Sequence, residues 1–213
     1  MTSVMTSVIT GDIMNSRGAA NQGEWLTPIK KVFAIYGKTP KTWEIYRGDS
    51  FQLEVKEPPD SLLAAIRIKA CIKSIREEEL DVRMAIGIGS RNYSAARITE
   101  SNGEAFIHSG EKFETLKKMK KSLAIKSPWP AIDTELNLMI SLASIAMDKW
   151  SPSSAELVAL SLKNKEFSQK ELGHKLGRTQ SSISERQKRA LYDEIMELEH
   201  YYRNKMEQQL KKI

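Results

Sequence analysis

The sequence of 213 residues lacks the features that mark disulfide-bonded, membrane-spanning, secreted and zinc-binding proteins. It contains one cysteine, Cys71, so the chain cannot form an internal disulfide, which is typical of proteins from a reducing cytoplasm. No run approaches the ~20 consecutive apolar residues of a membrane span, and the first ten residues do not resemble a signal peptide. The three histidines lie far apart without zinc-ligand spacing. These absences predict a cytoplasmic protein with no membrane partner.

What the sequence does contain is typical of a globular protein, with 40% hydrophobic and 28% charged residues. The net charge of +6 is compatible with an anionic partner. Residues 1–127 show strand and helix patterns in the order β-α-β-β-α-β-α-β. That order predicts an α+β domain: a ferredoxin-like, palm-type sandwich with helices on one face of a mainly antiparallel sheet. We further predict a connecting helix at 128–150 and an all-α domain at 151–213, which ends in a long helix.

The all-α part contains a helix-turn-helix pattern. Ser168 and Glu171 form a capping box, Gly177 can make a tight turn, and Thr179 can cap the next helix. Residues 163–189 include eight basic and three acidic side chains, a net charge of +5. Polar residues at the start of the second helix reach base edges in such proteins, and basic residues meet phosphates. The predicted DNA-binding residues are Arg178, Thr179, Gln180, Ser181, Ser182, Ser184, Arg186, Lys188 and Arg189. The alternative is a solvated helical bundle with a basic surface.

The third helix of this part shows no breaker from Gln180 to the end of the chain. An apolar stripe with a spacing of ~3.5 residues follows the DNA-binding pattern. Its members are Leu191, Ile195, Leu198 and Tyr202. The stripe either packs on the first domain or forms the contact of a homodimer, which such regulators often use to pair half-sites.

A hairpin is predicted over residues 42–56. Its apolar residues share one buried face if residue 43 pairs with 55 and residue 45 with 53. This register requires an odd-length turn, Gly48-Asp49-Ser50, with Asp49 at its apex. Gly and Asp are also ordinary turn residues, so Asp49 need not have a further role.

A second aspartate gives Asp49 a possible partner. Asp12 is predicted to close the first strand, which neighbours the hairpin in a β-α-β-β arrangement. Two converging carboxylates repel each other unless a cation lies between them. Because Mg²⁺ and Mn²⁺ prefer oxygen ligands, Asp12 and Asp49 are candidate ligands of such a metal.

The stretches VITGDIMNSR (8–17) and YRGDSFQLEV (46–55) resemble the metal-binding motifs of class III nucleotidyl cyclases and their palm-domain relatives. The resemblance covers about residues 4–118. It implies that Asp12 and Asp49 hold the metal and that the following turn wraps the phosphates of a nucleotide. The residues of that turn are Ile13, Asn15, Ser16 and Arg17. Combined with the helix-turn-helix pattern, VITGDIMNSR more closely resembles the bacterial SatD-like family.

The resemblance has two departures. Residues 102–117 resemble a later helix of the cyclases, but Ile107 and Glu111 stand where that family has Asn and Arg. An acid in place of the Arg would repel a triphosphate. Two main expectations follow. One is a ligand-responsive DNA-binding transcriptional regulator that binds a nucleotide and Mg²⁺. The other is a metal-dependent nucleotidyl cyclase or nucleotidyltransferase that uses Asp12 and Asp49. An interaction module on a degenerate palm is a third reading.

Overall fold

The computed structural model describes residues 4–16, 23–76 and 79–212. Within these ranges the chain forms a mixed α+β architecture with five strands in one sheet and eight α-helices. The strands are β1 (Val4–Met14), β2 (Trp43–Tyr46), β3 (Ser50–Val55), β4 (Asp81–Arg91) and β5 (Leu123–Lys126). The helices are α1 (Gly23–Phe33), α2 (Ser61–Lys73), α3 (Glu104–Met119), α4 (Pro130–Met147), α5 (Pro152–Lys163), α6 (Gln169–Leu176), α7 (Gln180–Ala190) and α8 (Tyr192–Leu210). None of the helices so described is long and apolar enough to cross a membrane.

The sheet has the strand order β2-β3-β1-β4-β5, with β1 at its centre. β1 pairs antiparallel with both β3 and β4, β2 pairs antiparallel with β3, and β5 runs parallel to β4. The predicted order β-α-β-β-α-β-α-β and the mainly antiparallel pairing are therefore confirmed.

The prediction that all helices of the first part lie on one face of the sheet is wrong. Ile9 of β1 belongs to the main core with α1 and α2, whereas its neighbour Val8 packs with Ala105 of α3. Successive side chains of a strand point to opposite faces, so α3 covers the second face. Gly87 and Gly89 of β4 make this possible, because a Cβ at either position would overlap the start of α3. The missing side chains let α3 lie directly on the strand.

One continuous apolar core extends from the sheet into the C-terminal helices. It includes buried side chains of α4, α5 and α8 together with those of α1, α2 and the sheet. Tyr202 of α8 is fully buried, and its hydroxyl lies 2.6 Å from Oγ of Ser61 at the start of α2. The indole of Trp150, between α4 and α5, donates a hydrogen bond to the carbonyl of Ala190 (2.9 Å). The boundaries at 127 and 151 stay a prediction, although these contacts join the parts on either side.

Helices α5, α6 and α7 also share a small core of their own. Leu157, Leu172 and Ile183 form it, one from each helix. α7 ends at Ala190 because Leu191 adopts the left-handed conformation (φ 49°), so α8 is a separate helix. The prediction of an unbroken helix from Gln180 is therefore wrong.

The members of the predicted apolar stripe, from Leu191 to Tyr202, differ in burial: some lie in the core and others remain exposed. Ile195 and Tyr202 lie in the main core, in agreement with the interpretation that the stripe packs on the first domain. Leu198 is half-buried, and Leu191 stays 42% exposed. The two fully buried members are thus not accessible to a second chain.

The hairpin has the predicted parity but a different register. Trp43 pairs with Leu53 and residue 45 with residue 51, two residues away from the predicted pairing. The turn comprises Arg47, Gly48 and Asp49, with φ values of 52° and 90° at the first two, so Gly48 and not Asp49 stands at the apex. A shift of two residues preserves the buried face, which explains why the apolar pattern did not distinguish the registers.

Candidate functional site

The two aspartates occupy neighbouring positions on adjacent strands. Asp12 lies within β1, which continues to Met14, and does not close the strand as predicted. It pairs across the sheet with Ser50 of β3 and Arg83 of β4. Asp49 immediately precedes β3, and its carbonyl accepts a hydrogen bond from the backbone N–H of Ile13 (3.0 Å). The hairpin turn is thereby attached to the strand that carries Asp12.

Asp12 has an unusual electrostatic environment. Burial raises the pKa of its carboxyl group; the charges of Arg83 and Lys117 oppose the increase, and the charge of Asp49 adds to it. Nη1 of Arg83 lies 3.6 Å from Oδ2. The other oxygen, Oδ1, is buried without a hydrogen-bond partner among the described residues. An unsatisfied buried acceptor is costly, and a cation or a donor from a ligand would satisfy it.

The carboxylate of Asp49 is held by hydroxyl groups. Oγ of Ser16 donates to Oδ2 (3.0 Å), and Oγ of Ser50 donates to Oδ1 (3.4 Å). Ser16 itself is buried. The structure therefore places Ser16 of the predicted phosphate-binding turn against Asp49, a contact that was not predicted. The contact of Ser50 with Asp49 was not predicted from the sequence. Ser50 lies opposite Asp12 because of the register in which β1 and β3 pair.

The other residues of the predicted phosphate-binding turn have different surroundings. The side chain of Ile13 is buried in the main core, so only its backbone can face a ligand. The amide of Asn15 donates to the carbonyl of Glu79 (2.9 Å), and its backbone is left-handed (φ 64°). Arg17 lies outside the described residues. The role of this turn in binding phosphates stays a prediction.

A metal at this position would have few protein ligands. No group of three or more His, Cys, Asp and Glu side chains suited to a metal occurs in the described part of the chain. The donor set that fits is two carboxylates with nearby hydroxyl and carbonyl oxygens, which suits a hard cation that retains water or phosphate ligands. Arg83 already supplies one positive charge beside Asp12, so a cation would compete with it.

The departures from the cyclase pattern on α3 also have definite positions. Ile107 is 53% exposed, and Glu111 pairs with Lys126 of β5. That pairing lowers the pKa of the Glu111 carboxyl group. Lys117, further along α3, is the basic residue of this helix whose charge acts on Asp12. It is also paired with Glu114 at 3.0 Å.

A second candidate region is formed by α6, the turn at Gly177 and α7. Gly177 is left-handed (φ 60°) and ends α6, and the N–H of Arg178 donates to the carbonyl of Gly173 (2.8 Å). The predicted capping box of Ser168 is present. The side chain of Thr179 caps α7 by accepting from the N–H of Ser182.

The nine predicted DNA-binding residues all remain accessible. Six are exposed: Arg178, Thr179, Gln180, Ser181, Lys188 and Arg189. The other three are half-buried: Ser182, Ser184 and Arg186. A hydrogen bond between the side-chain amides of Gln169 and Gln187 (2.8 Å) joins the two helices. This bond holds the later part of α7, and Ile183 in the small core holds its start.

No protein-family model, curated protein or solved structure matches the chain. The resemblances to nucleotidyl cyclases and to the SatD-like family therefore stay predictions.

Proposed function

We propose that the chain is a DNA-binding regulator in which α6 and α7 form a helix-turn-helix. The observation that carries the proposal is the exposed N-terminal end of α7, where Thr179, Gln180 and Ser181 face solvent. Ile183 anchors the same turn in the small core shared with α5 and α6. A helix start of this kind offers free N–H groups and a favourable dipole to a phosphate, and short polar side chains to base edges.

The basic residues support the same proposal. Arg178 stands in the turn, and Lys188 and Arg189 extend from the later part of α7. Arg189 makes two long contacts with Glu185, each of 3.4 Å, one with its exposed carboxylate and one with its backbone carbonyl. Exposed pairs contribute little stability, so this arginine is available to a phosphate at small cost.

Salt-dependent binding to duplex DNA tests the proposal. We expect fluorescence anisotropy to show binding whose logarithmic affinity falls linearly with the logarithm of salt concentration, by about 0.9 per neutralised phosphate. The double variant Arg186→Ala/Lys188→Ala should weaken binding and reduce the slope by about 2, because two phosphate contacts are lost. The matched control Lys30→Ala/Lys38→Ala removes two exposed cations elsewhere and should leave the slope unchanged. Absence of binding at low salt, or equal losses in both double variants, would contradict the proposal.

We propose secondly that Asp12 and Asp49 bind Mg²⁺ or Mn²⁺ together with a nucleotide. The unpartnered, buried Oδ1 of Asp12 supports this. Such a metal would hold the triphosphate, and in a cyclase or nucleotidyltransferase it would also activate the attacking hydroxyl group. The SatD-like and cyclase-like resemblances belong to this proposal. Glu111 is paired with Lys126, and Lys117 is the basic residue of α3 whose charge acts on Asp12.

Thermal unfolding with Mn²⁺, with and without a nucleoside triphosphate, tests this second proposal. We expect the wild type to be stabilised by the metal and Asp12→Asn to lose the effect, whereas Asp193→Asn, on an exposed part of α8, should retain it. Formation of a product that Asp12→Asn abolishes would identify an enzyme. Stabilisation without turnover would favour a ligand-responsive regulator. No stabilisation by Mn²⁺ would contradict both the metal-dependent enzyme and the metal-binding regulator.

A further inference from the structure

Helix α4 exposes an apolar ridge. Leu138, Leu142 and Ile145 are 65%, 62% and 58% exposed. A single exposed leucine is ordinary, whereas several on one face form a patch that is informative. Their spacing of four and three residues places them on one face of the helix. The opposite face of α4 is buried in the main core through Leu136 and Ile140. A contiguous exposed apolar face of this kind indicates a contact surface.

A groove runs along one side of this ridge, between α4 and α8. Its volume is about 450 Å³. The small residues Ala143 and Ala146 line it on α4; Leu191, at the break before α8, and Leu198 of α8 line it on the other side. Ridges of large side chains pack into grooves formed over small ones when helices associate. The face therefore contains an apolar ridge and, beside it, a groove that could accept a similar ridge from another helix.

The two sides of the ridge carry opposite charge. Glu194 and Glu197 of α8 line the groove on one side. Lys120 and Lys121 lie on the other side, where they line a smaller cleft with Ile145. Asp148 also lines this cleft, but its charge is offset by the buried Lys69, which lies 2.6 Å from its carboxylate. Both glutamates, Lys120 and Lys121 are exposed, and the described part of the chain contains no ion partner for any of these four.

We propose that a second copy of this chain occupies the face, with a two-fold axis running along α4 so that the two α4 helices lie parallel. This operation places the acidic side of one copy against the basic side of the other, twice. It also directs Ile145, which lines the cleft on the lysine side, toward the groove of the partner. An isologous interface must be self-complementary, and this face is so in both shape and charge.

The antiparallel arrangement is excluded by the same charges. A two-fold axis perpendicular to α4 would bring Glu194 and Glu197 of one copy against the same residues of the other, and the lysines against the lysines. Like charges in contact oppose association. The proposal does not depend on DNA binding or on the aspartate site.

The oligomeric state tests the surface. Size-exclusion chromatography with light scattering should show a dimer for the wild type, and Leu142→Arg should raise its dissociation constant about tenfold or more by placing a charge on the ridge. The matched control is Ile107→Arg, which adds the same charge at an exposed isoleucine of α3 and should remain dimeric. Circular dichroism verifies that both variants are folded. A monomeric wild type, or equal effects of the two substitutions, would overturn the proposal and leave the face to a different partner.

Charge reversal and disulfide trapping test the orientation. Glu194→Lys/Glu197→Lys should weaken the dimer, and adding Lys120→Glu/Lys121→Glu should restore it. In a Cys71→Ala background, the single substitutions Leu138→Cys, Leu142→Cys and Ile145→Cys should each allow a disulfide with the same position of the partner, because parallel helices keep equal residues at equal height. Trapping at one of these positions alone would indicate antiparallel helices and overturn the orientation, as would failure of the second charge reversal to restore association.

Discussion

At the scale of single residues, Asp12 is held in a folded environment that disfavours its charge. Its carboxyl pKa is raised from 3.8, mainly by burial. Between 3.8 and the folded pKa, the folded protein binds more protons than the unfolded chain, so the free energy of unfolding falls as the pH rises through this window. Above the window the destabilisation is fully present. Below 3.8 it is absent.

This linkage predicts the behaviour of Asp12→Asn in metal-free buffer. The free energy of unfolding of the variant, relative to the wild type, should be greater at pH 7 than below pH 3.8, because Asn cannot ionise. Chemical denaturation in the presence of a chelator measures the difference. Adding Mn²⁺ at pH 7 should reduce it by stabilising the wild type alone. A difference that does not change with pH would show that burial does not act on this carboxyl group.

The sequence allowed the pairing of the first strand with the hairpin to be predicted, and with it the neighbourhood of Asp12 and Asp49. It did not allow Ser50 and Arg83 to be anticipated, because they face Asp12 only through the cross-strand register. Side-chain alternation defines register only to multiples of two residues. That ambiguity is also the reason why the apex of the turn was placed at Asp49 and not at Gly48.

At the scale of elements, the contact between α3 and β4 depends on the absence of side chains. Gly87→Ala would place a Cβ against the backbone of Ala105 and Ser109, which cannot move without shifting the helix. We expect a loss of about 1–3 kcal/mol in the free energy of unfolding, as for other overpacked sites. Denaturant titration measures it.

The control for this prediction is a glycine of α3 itself, Gly110. A Cβ at Gly110 of α3 meets nothing within 4 Å, so Gly110→Ala should stabilise the protein by about 0.5–1 kcal/mol through helix propensity and lower unfolded-state entropy. If Gly87→Ala were equally well tolerated, the close packing of α3 on the sheet would be refuted.

Element type and order were predictable from apolar periodicity, but two features of the elements were not. The face on which α3 packs depends on Gly87 and Gly89, and in the sequence these read only as part of an alternating strand. The break between α7 and α8 falls at Leu191, which is a good helix former and gives no local stop signal. Tertiary packing of Ala190 and Ile195 in the main core fixes both sides of that break.

At the scale of the whole molecule, sequence patterns separated a mixed part from a helical part, whereas packing joins them. α5 shows why the pattern could not reveal this. Its Leu157 belongs to the small core with α6 and α7, and its Val158 and Leu162 belong to the main core with the sheet. A single amphipathic helix serves two cores, and its periodicity does not specify which neighbours cover each side.

The central position of β1 has a consequence for how the protein is made. β1 ends at Met14, but its two partners are β3 (Ser50–Val55) and β4 (Asp81–Arg91), which are synthesised later. At a translation rate of about 5–20 residues per second, β1 waits on the order of ten seconds before both of its edges can be covered. During this interval the backbone N–H and C=O groups along both edges of β1 lack their strand partners, so the segment is open to pairing with another chain.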